Sequence, residues 1–95
     1  MADVTVTNQE AENRFEAQVD GQTGYLLYKR SGDQILLIHT EVPPELEGKG
    51  IGSALARHAM EFARAEHLKV VPRCPFVAQY LKRHTEYSDL VVSRP

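Results

Sequence analysis

Hydrophobic and polar residues alternate cleanly from Arg14 to Val19: Phe15, Ala17 and Val19 fall on one side, and Arg14, Glu16 and Gln18 on the other. A period of two predicts a strand with one buried face. A weaker alternation, Val4 and Val6 against Thr5 and Thr7, predicts an earlier strand that the polar stretch Asn8 to Asn13 ends. Asp20-Gly21 suits a tight hairpin turn, because such turns need positive φ. A strand follows over about residues 22–29, carrying Tyr25, Leu26, Leu27 and Tyr28. After the turn Ser31-Gly32-Asp33, residues 34–42 hold the unbroken run Ile35-Leu36-Leu37-Ile38. A strand apolar on both sides belongs inside its sheet rather than at an edge. The three strands from 14 to 42, joined by short turns, form an antiparallel meander.

Pro43-Pro44 stops the last of them, since neither residue can donate to a ladder. The period then changes. Ile51, Leu55, Ala59 and Phe62 recur at helical spacing opposite Arg57, Glu61 and Arg64, predicting an amphipathic helix over about 50–66. Leu68-Lys69-Val70-Val71 reads as a short buried strand closed by Pro72. Pro75 suits the first turn of a second helix that ends near His84. Its apolar residues are Phe76, Val77, Tyr80 and Leu81, and Leu90-Val91-Val92 offers a last short strand. Strands followed by helix, strand and helix give an α+β fold with a mixed sheet.

Ninety-five residues, 42% hydrophobic and 25% charged, fit one folded domain covering 1–95. A single cysteine excludes an internal disulfide framework and a multi-cysteine metal site. His39, His58, His67 and His84 lack metal-ligand spacing, and His58 flanks the apolar stripe of its helix. The start shows no basic-then-apolar leader, and no run approaches the ~20 apolar residues of a membrane span. A cytoplasmic protein is the expectation. The calculated pI near 6.0 and the absence of aromatics among the bases argue against nucleic acid.

Charge is unevenly placed. Residues 1–47 hold nine acids and three bases, net −6; residues 48–95 hold eight bases and four acids, net +4. The basic half is where an anion would be handled, although solvated surface charge gives the same asymmetry. The most informative segment opens that half: Glu47-Gly48-Lys49-Gly50-Ile51-Gly52-Ser53, between an interior strand and a helix. Glycines allow a tight turn and close approach of a ligand, and a helix N-terminus presents free N–H groups to pyrophosphate. Lys49 adds charge and Ser53 a hydrogen bond. A dinucleotide fingerprint fits poorly, because the preceding strand ends a meander, and the P-loop pattern lacks its terminal Lys-Ser/Thr. A ligand-free strand-to-helix turn fits as well.

This loop resembles the acetyl-CoA-binding motif of the GNAT superfamily of N-acetyltransferases, Arg/Gln-x-x-Gly-x-Gly/Ala, at Gly50 and Gly52. The chain is most similar to the superfamily's compact YjdJ-type branch of N-acetyltransferase domain-containing proteins. The matching stretches are His39 to Pro43, Gly48 to Gly52, Val71-Pro72 with Cys74 to Val77, and Tyr80 through His84 to Tyr87. Glu47 departs from the pattern, so pyrophosphate binding falls to backbone amides of residues 48–53. The resemblance implies a minimal GNAT-like fold whose sheet splays between strands 34–42 and 68–71. Pantetheine would lie in that gap, paired with the backbone of Thr40, Glu41 and Val42. Lys82 and Arg83, or Arg57, would meet the nucleotide phosphates, unless they are ordinary solvated charges.

Cys74 follows Arg73 and precedes Pro75 at a helix start, an environment that favours a thiolate. It would attack the thioester or orient the acceptor, or serve as a small buried residue. His39 and Glu41 share a strand face, as a general base and its partner would, or as polar residues beside a cleft. By the resemblance, Tyr80 holds the place of the tyrosine that protonates the departing CoA thiolate. The implied activity is transfer of acetyl from acetyl-CoA to an amine of a small molecule, peptide or protein. The alternatives are a non-catalytic CoA-binding module working through a partner and a purely structural partner-binding domain. Set against the superfamily, the chain leaves no room for the helical insertion between the first strands that builds an acceptor pocket, which implies either an open site for a protein or peptide amine or no acceptor site at all.

Overall fold

The computed structural model describes residues 4–92; the Met1-Ala2-Asp3 start and residues 93–95 lie outside them. Five strands form one sheet in sequence order: β1 (Val6–Gln9), β2 (Arg14–Val19), β3 (Gln22–Ser31), β4 (Gln34–Glu41) and β5 (Lys69–Pro72). The first four are antiparallel, and β5 runs parallel to β4 after the crossover helix α1 (Ile51–Ala65). A second helix, α2 (Pro75–Arg83), follows β5 directly. The mixed α+β plan is as expected, and the meander has four strands rather than three.

The differences have local causes. The first strand lies at Val6–Gln9, displaced toward the polar stretch, because Asn8 pairs with Phe15 and receives the Tyr28 hydroxyl at 2.7 Å. A single 3-10 turn, Glu10–Glu12, links it to β2, and Asn13 closes that turn at φ 56°. The expected last strand shrinks to one parallel bridge, Val91 to Val70. A 3-10 segment, Thr85–Leu90, uses up the residues before it. The β4–α1 connection carries a 3-10 turn, Pro44–Leu46, whose Leu46 is buried.

One core lies between the sheet and the helices. Phe15, Leu26, Tyr28, Ile35 and Leu37 project from the sheet onto Leu55, Ala59, Met60, Ala63 and Val77. Phe15 meets Tyr28, His58 and Phe62 at centroid distances of 4.8, 5.4 and 5.6 Å. His58 thus flanks the apolar stripe, and its burial lowers its pKa. No helix among the described residues is long and apolar enough to cross a membrane.

The Thr85–Leu90 segment is tied to α1 by the Tyr87 hydroxyl, which donates to Glu61 Oε2 at 2.6 Å. Burial, then the hydrogen bond to Glu61, push this phenol up to about 12. In the unfolded chain a tyrosine ionises near ~10, so the unfolded state loses its proton first as pH rises. The contribution is fully present below that value and is lost progressively between ~10 and ~12. Tyr87→Phe should lower stability by about 1 kcal/mol at neutral pH and flatten this alkaline loss. Urea denaturation midpoints at neutral and alkaline pH measure both effects.

Candidate functional site

The site begins where the β4–β5 ladder stops. Pairing runs from Gln34–Lys69 to Leu37–Pro72, and Leu37 O then accepts from both Arg73 N and Cys74 N at 2.9 Å. Beyond that point the chain leaves the sheet to enter α2, so β4 keeps an open edge from Ile38 to Glu41. The expected splay between 34–42 and 68–71 is therefore confined to the last four residues of β4. A bulge opens it: Leu27 pairs with His39 and Tyr28 with Leu37, leaving Ile38 as the extra residue. Ile38 is 43% exposed.

Beside this edge lies a cleft of about 440 Å³. Its lining includes Thr40, Glu41 and Val42 from the strand end, Gly48, Gly50, Gly52 and Ser53 from the loop and first helical turn, and Phe76 from α2. Gly48 and Gly50 adopt φ +85° and +78°, where a side chain would be strained, and Gly50 caps α1. The first N–H groups of α1, those of Ile51, Gly52 and Ser53, have no partner one turn back. No acidic residue stands in that first turn, so the positive end of the helix faces the cleft uncompensated from within α1. Gly52 has a second role: a Cβ there would lie 2.7 Å from Phe76 Cζ, so its absence lets α2 close against α1.

The other predicted residues divide. Cys74 is buried at 3% exposure and caps α2, with its Sγ 3.3 Å from Thr40 Oγ1 on the cleft wall. His39 Nε2 lies 2.8 Å from Glu41 Oε1, an exposed pair. Tyr80 stands outside the cleft and lines an adjoining depression that shares Ser53 and Phe76 and adds Gln79, Arg83 and His84. Its ring stacks on His84 at 3.9 Å. Burial, more than the nearby Glu86, raises the Tyr80 phenol above its ordinary value and keeps it protonated at neutral pH. Lys82 is turned away, lining a separate depression with Pro72, Leu81 and Val91, because α2 puts successive residues about 100° apart. Arg57 borders yet another, beside Val6 and His58. Lys49 is exposed on the loop but outside the cleft lining, which Glu47 does join.

Sequence reasoning missed Phe76 as a cleft residue. Its helical spacing placed it in the core, yet it is 42% exposed and walls both the cleft and the depression beside it. The only signal was a large aromatic immediately after Pro75, in the first turn of a helix, where side chains overhang the preceding loop.

The family model for the GCN5-related N-acetyl-transferase matches residues 14–90, which includes the open-edged β4, the glycine loop and α2. The chain belongs to the GCN5-related N-acetyltransferase family. Curated relatives include Protein NATD1 of Mus musculus and of Xenopus tropicalis, each 32% identical over 84 residues. The aligned part is 85% of this chain and 76% or 77% of those proteins. The fold is similar to the NMR solution structure of a GCN5-like protein from Staphylococcus aureus. The TM-score is 0.75 at 26% identity, covering all of this chain and 94% of that one. A GNAT fold with five strands and two principal helices is therefore the architecture of this family member.

Proposed function

We propose that the protein transfers the acetyl group of acetyl-CoA to an amine, with the donor bound in the cleft between β4 and the start of α1. The observation that carries this reading is the union of an unpaired β4 edge with a glycine-capped helix N-terminus in one cleft. An extended amide-bearing chain can add to the edge at Thr40–Val42, while backbone amides of residues 48–53 take its pyrophosphate. The donor supplies an activated thioester. Arg83, on the adjoining depression, is within the region where the nucleotide phosphates would extend; Lys82 is not, and we leave it out of the site.

In the transfer, His39 takes the proton from the incoming ammonium, with Glu41 holding the imidazole and compensating its charge. The freed amine nitrogen bonds to the carbonyl carbon, and the carbon–sulfur bond breaks. A backbone N–H of the bulged β4 edge serves the developing oxyanion. The sulfur leaves as a thiolate and is neutralised by the second proton that the attacking nitrogen sheds, giving an acetamide and CoA. Tyr80, in the adjoining depression, is the residue the resemblance nominates to relay that proton. Cys74, held by Thr40 at the end of this edge, orients the reacting groups or accepts the acetyl transiently.

Calorimetric titration with acetyl-CoA should show saturable binding at one site per chain. CoA release across a panel of amines and peptides should then be measurable and should fall with His39→Ala and Cys74→Ala. Absence of binding overturns the whole reading. Binding without release by any acceptor reduces the protein to a CoA-binding module.

A further inference from the structure

The sheet ends differently at its two sides. At β5 the outer edge is partly taken, because Val92 N donates to Val70 O at 2.9 Å and Val91 bridges Val70. At β1 the only strand alongside, among the described residues, is β2. In an antiparallel ladder alternate residues turn their N–H and C=O groups away from the partner, so β1 presents an unpaired row outward. Natural edges are commonly blunted by lysine, proline or a bulge. Residues 4–9, Val-Thr-Val-Thr-Asn-Gln, hold no charge and no proline, and the β1–β2 register is unbroken from Val6–Ala17 to Gln9–Arg14. Nothing in this strand blocks the addition of another.

The edge lies below one flank of α1. Val6 pairs with Ala17 of the core, so Val4 and Val6 point to the helix side, where both are half-buried. They line a depression of about 240 Å³ with Ala54, Arg57, His58 and Glu61. These four helix residues recur at i, i+3, i+4 and i+7, a single flank of α1. Arg57 and Glu61, of opposite charge and one turn apart, are both exposed. Glu61 Oε2 accepts from the Tyr87 hydroxyl, and Arg57 forms no ion pair among the described residues.

We propose that this edge joins a second copy of the chain, β1 against β1, so that two five-stranded sheets become one continuous sheet. An antiparallel strand pair has its two-fold axis perpendicular to the sheet, which keeps the helices of both copies on one side. Val4 and Val6 of one copy then lie beside Val4 and Val6 of the other, and apolar contact closes both depressions. Helix α1 lies over β1, β2 and β3, with β2 at the centre. The two β2 strands would stand three strand spacings apart, about 14 Å. That is wider than the ~8–10 Å of helices in direct contact, and it is a gap that an arginine and a glutamate cross together. The two α1 helices run antiparallel about the axis, so Arg57 of each copy faces Glu61 of the other. A flank with one cation and one anion a turn apart is complementary to itself under rotation, which selects a copy of the chain over an unrelated strand. No residue of this flank lines the donor cleft, so the dimer stands or falls apart from the transferase reading.

Sedimentation equilibrium of the full chain should show a reversible dimer with a Kd of about 1–100 µM, the weak range of a small interface. Val6→Lys sets like charges beside the axis and should weaken dimerisation by about tenfold or more, with the circular dichroism unchanged. Arg57→Glu and Glu61→Arg should each do the same by placing like charges face to face. An equimolar mixture of those two variants should recover the dimer, because every contact across the axis then pairs opposite charges. Misfolding of either variant cannot mimic that recovery. A chain that stays monomeric to about 0.5 mM overturns the proposal. So does a dimer indifferent to Val6→Lys, an assembly larger than two, or a mixture that stays monomeric.

Discussion

Gly50→Trp should abolish acetyl-CoA binding while the domain still folds. Gly50 has φ +78°, caps α1 and lines the cleft, and nothing lies within 4 Å of the position a Cβ would take. A side chain there meets open space and so enters the volume assigned to the donor. Two effects combine: an L residue in this left-handed conformation costs about 1–2 kcal/mol of strain, and the indole bars the helix N-terminus. Gly50→Ala carries the strain without the obstruction and is the control. Calorimetry should show affinity falling by about a hundredfold or more for Trp and far less for Ala. Near-equal affinities for the wild type and Gly50→Trp would move the donor away from this loop.

Phe15→Ala should be the most damaging substitution for stability. Phe15 is fully buried near the start of β2 and touches the rings of Tyr28 on β3 and of His58 and Phe62 on α1, so it joins the sheet to its main helix. Truncating a core phenylalanine costs about 3–5 kcal/mol, of the order of the whole stability of a domain this size. The melting temperature should drop by at least about 12 °C, with loss of a single cooperative transition at the upper end of that range. The alanine leaves Tyr28 and Phe62 facing a void that neither can fill, because both are fixed elsewhere. Tyr28 is held by its bond to Asn8, and Phe62 lies under Arg30. A drop of only a few degrees would mean that the helix is held by the remaining aliphatic contacts.

The elements were legible because their signals are local. Alternation placed β2, the Asp20-Gly21 and Ser31-Gly32-Asp33 turns bounded β3, the 3–4 spacing placed α1, and proline marked the end of β4 and the first turn of α2. The errors share a cause as well. β1 and the tail depend on partners distant in sequence: Asn8 takes its strand place from Phe15 and Tyr28, and Val91 reaches only Val70. Phe76 and Lys82 show the same limit on α2. Their spacing is helical, but which direction is cleft, core or outer surface depends on how Gly52 lets the helix settle.

For the site, the sequence by itself determined the glycine loop, its place between a strand and a helix, and the His39–Glu41 spacing that puts both on one face. Backbone periodicity and glycine's freedom of φ are properties of a few adjacent residues, so they are written locally. Only the tertiary structure decided that Thr40 and Cys74, 34 residues apart, meet at the open edge of β4. It alone decided that Tyr80 stands one depression away from the cleft. Those relations come from where β5 stops and from both helices choosing one face of the sheet. Packing sets such choices across the whole chain, and no short stretch of it records them.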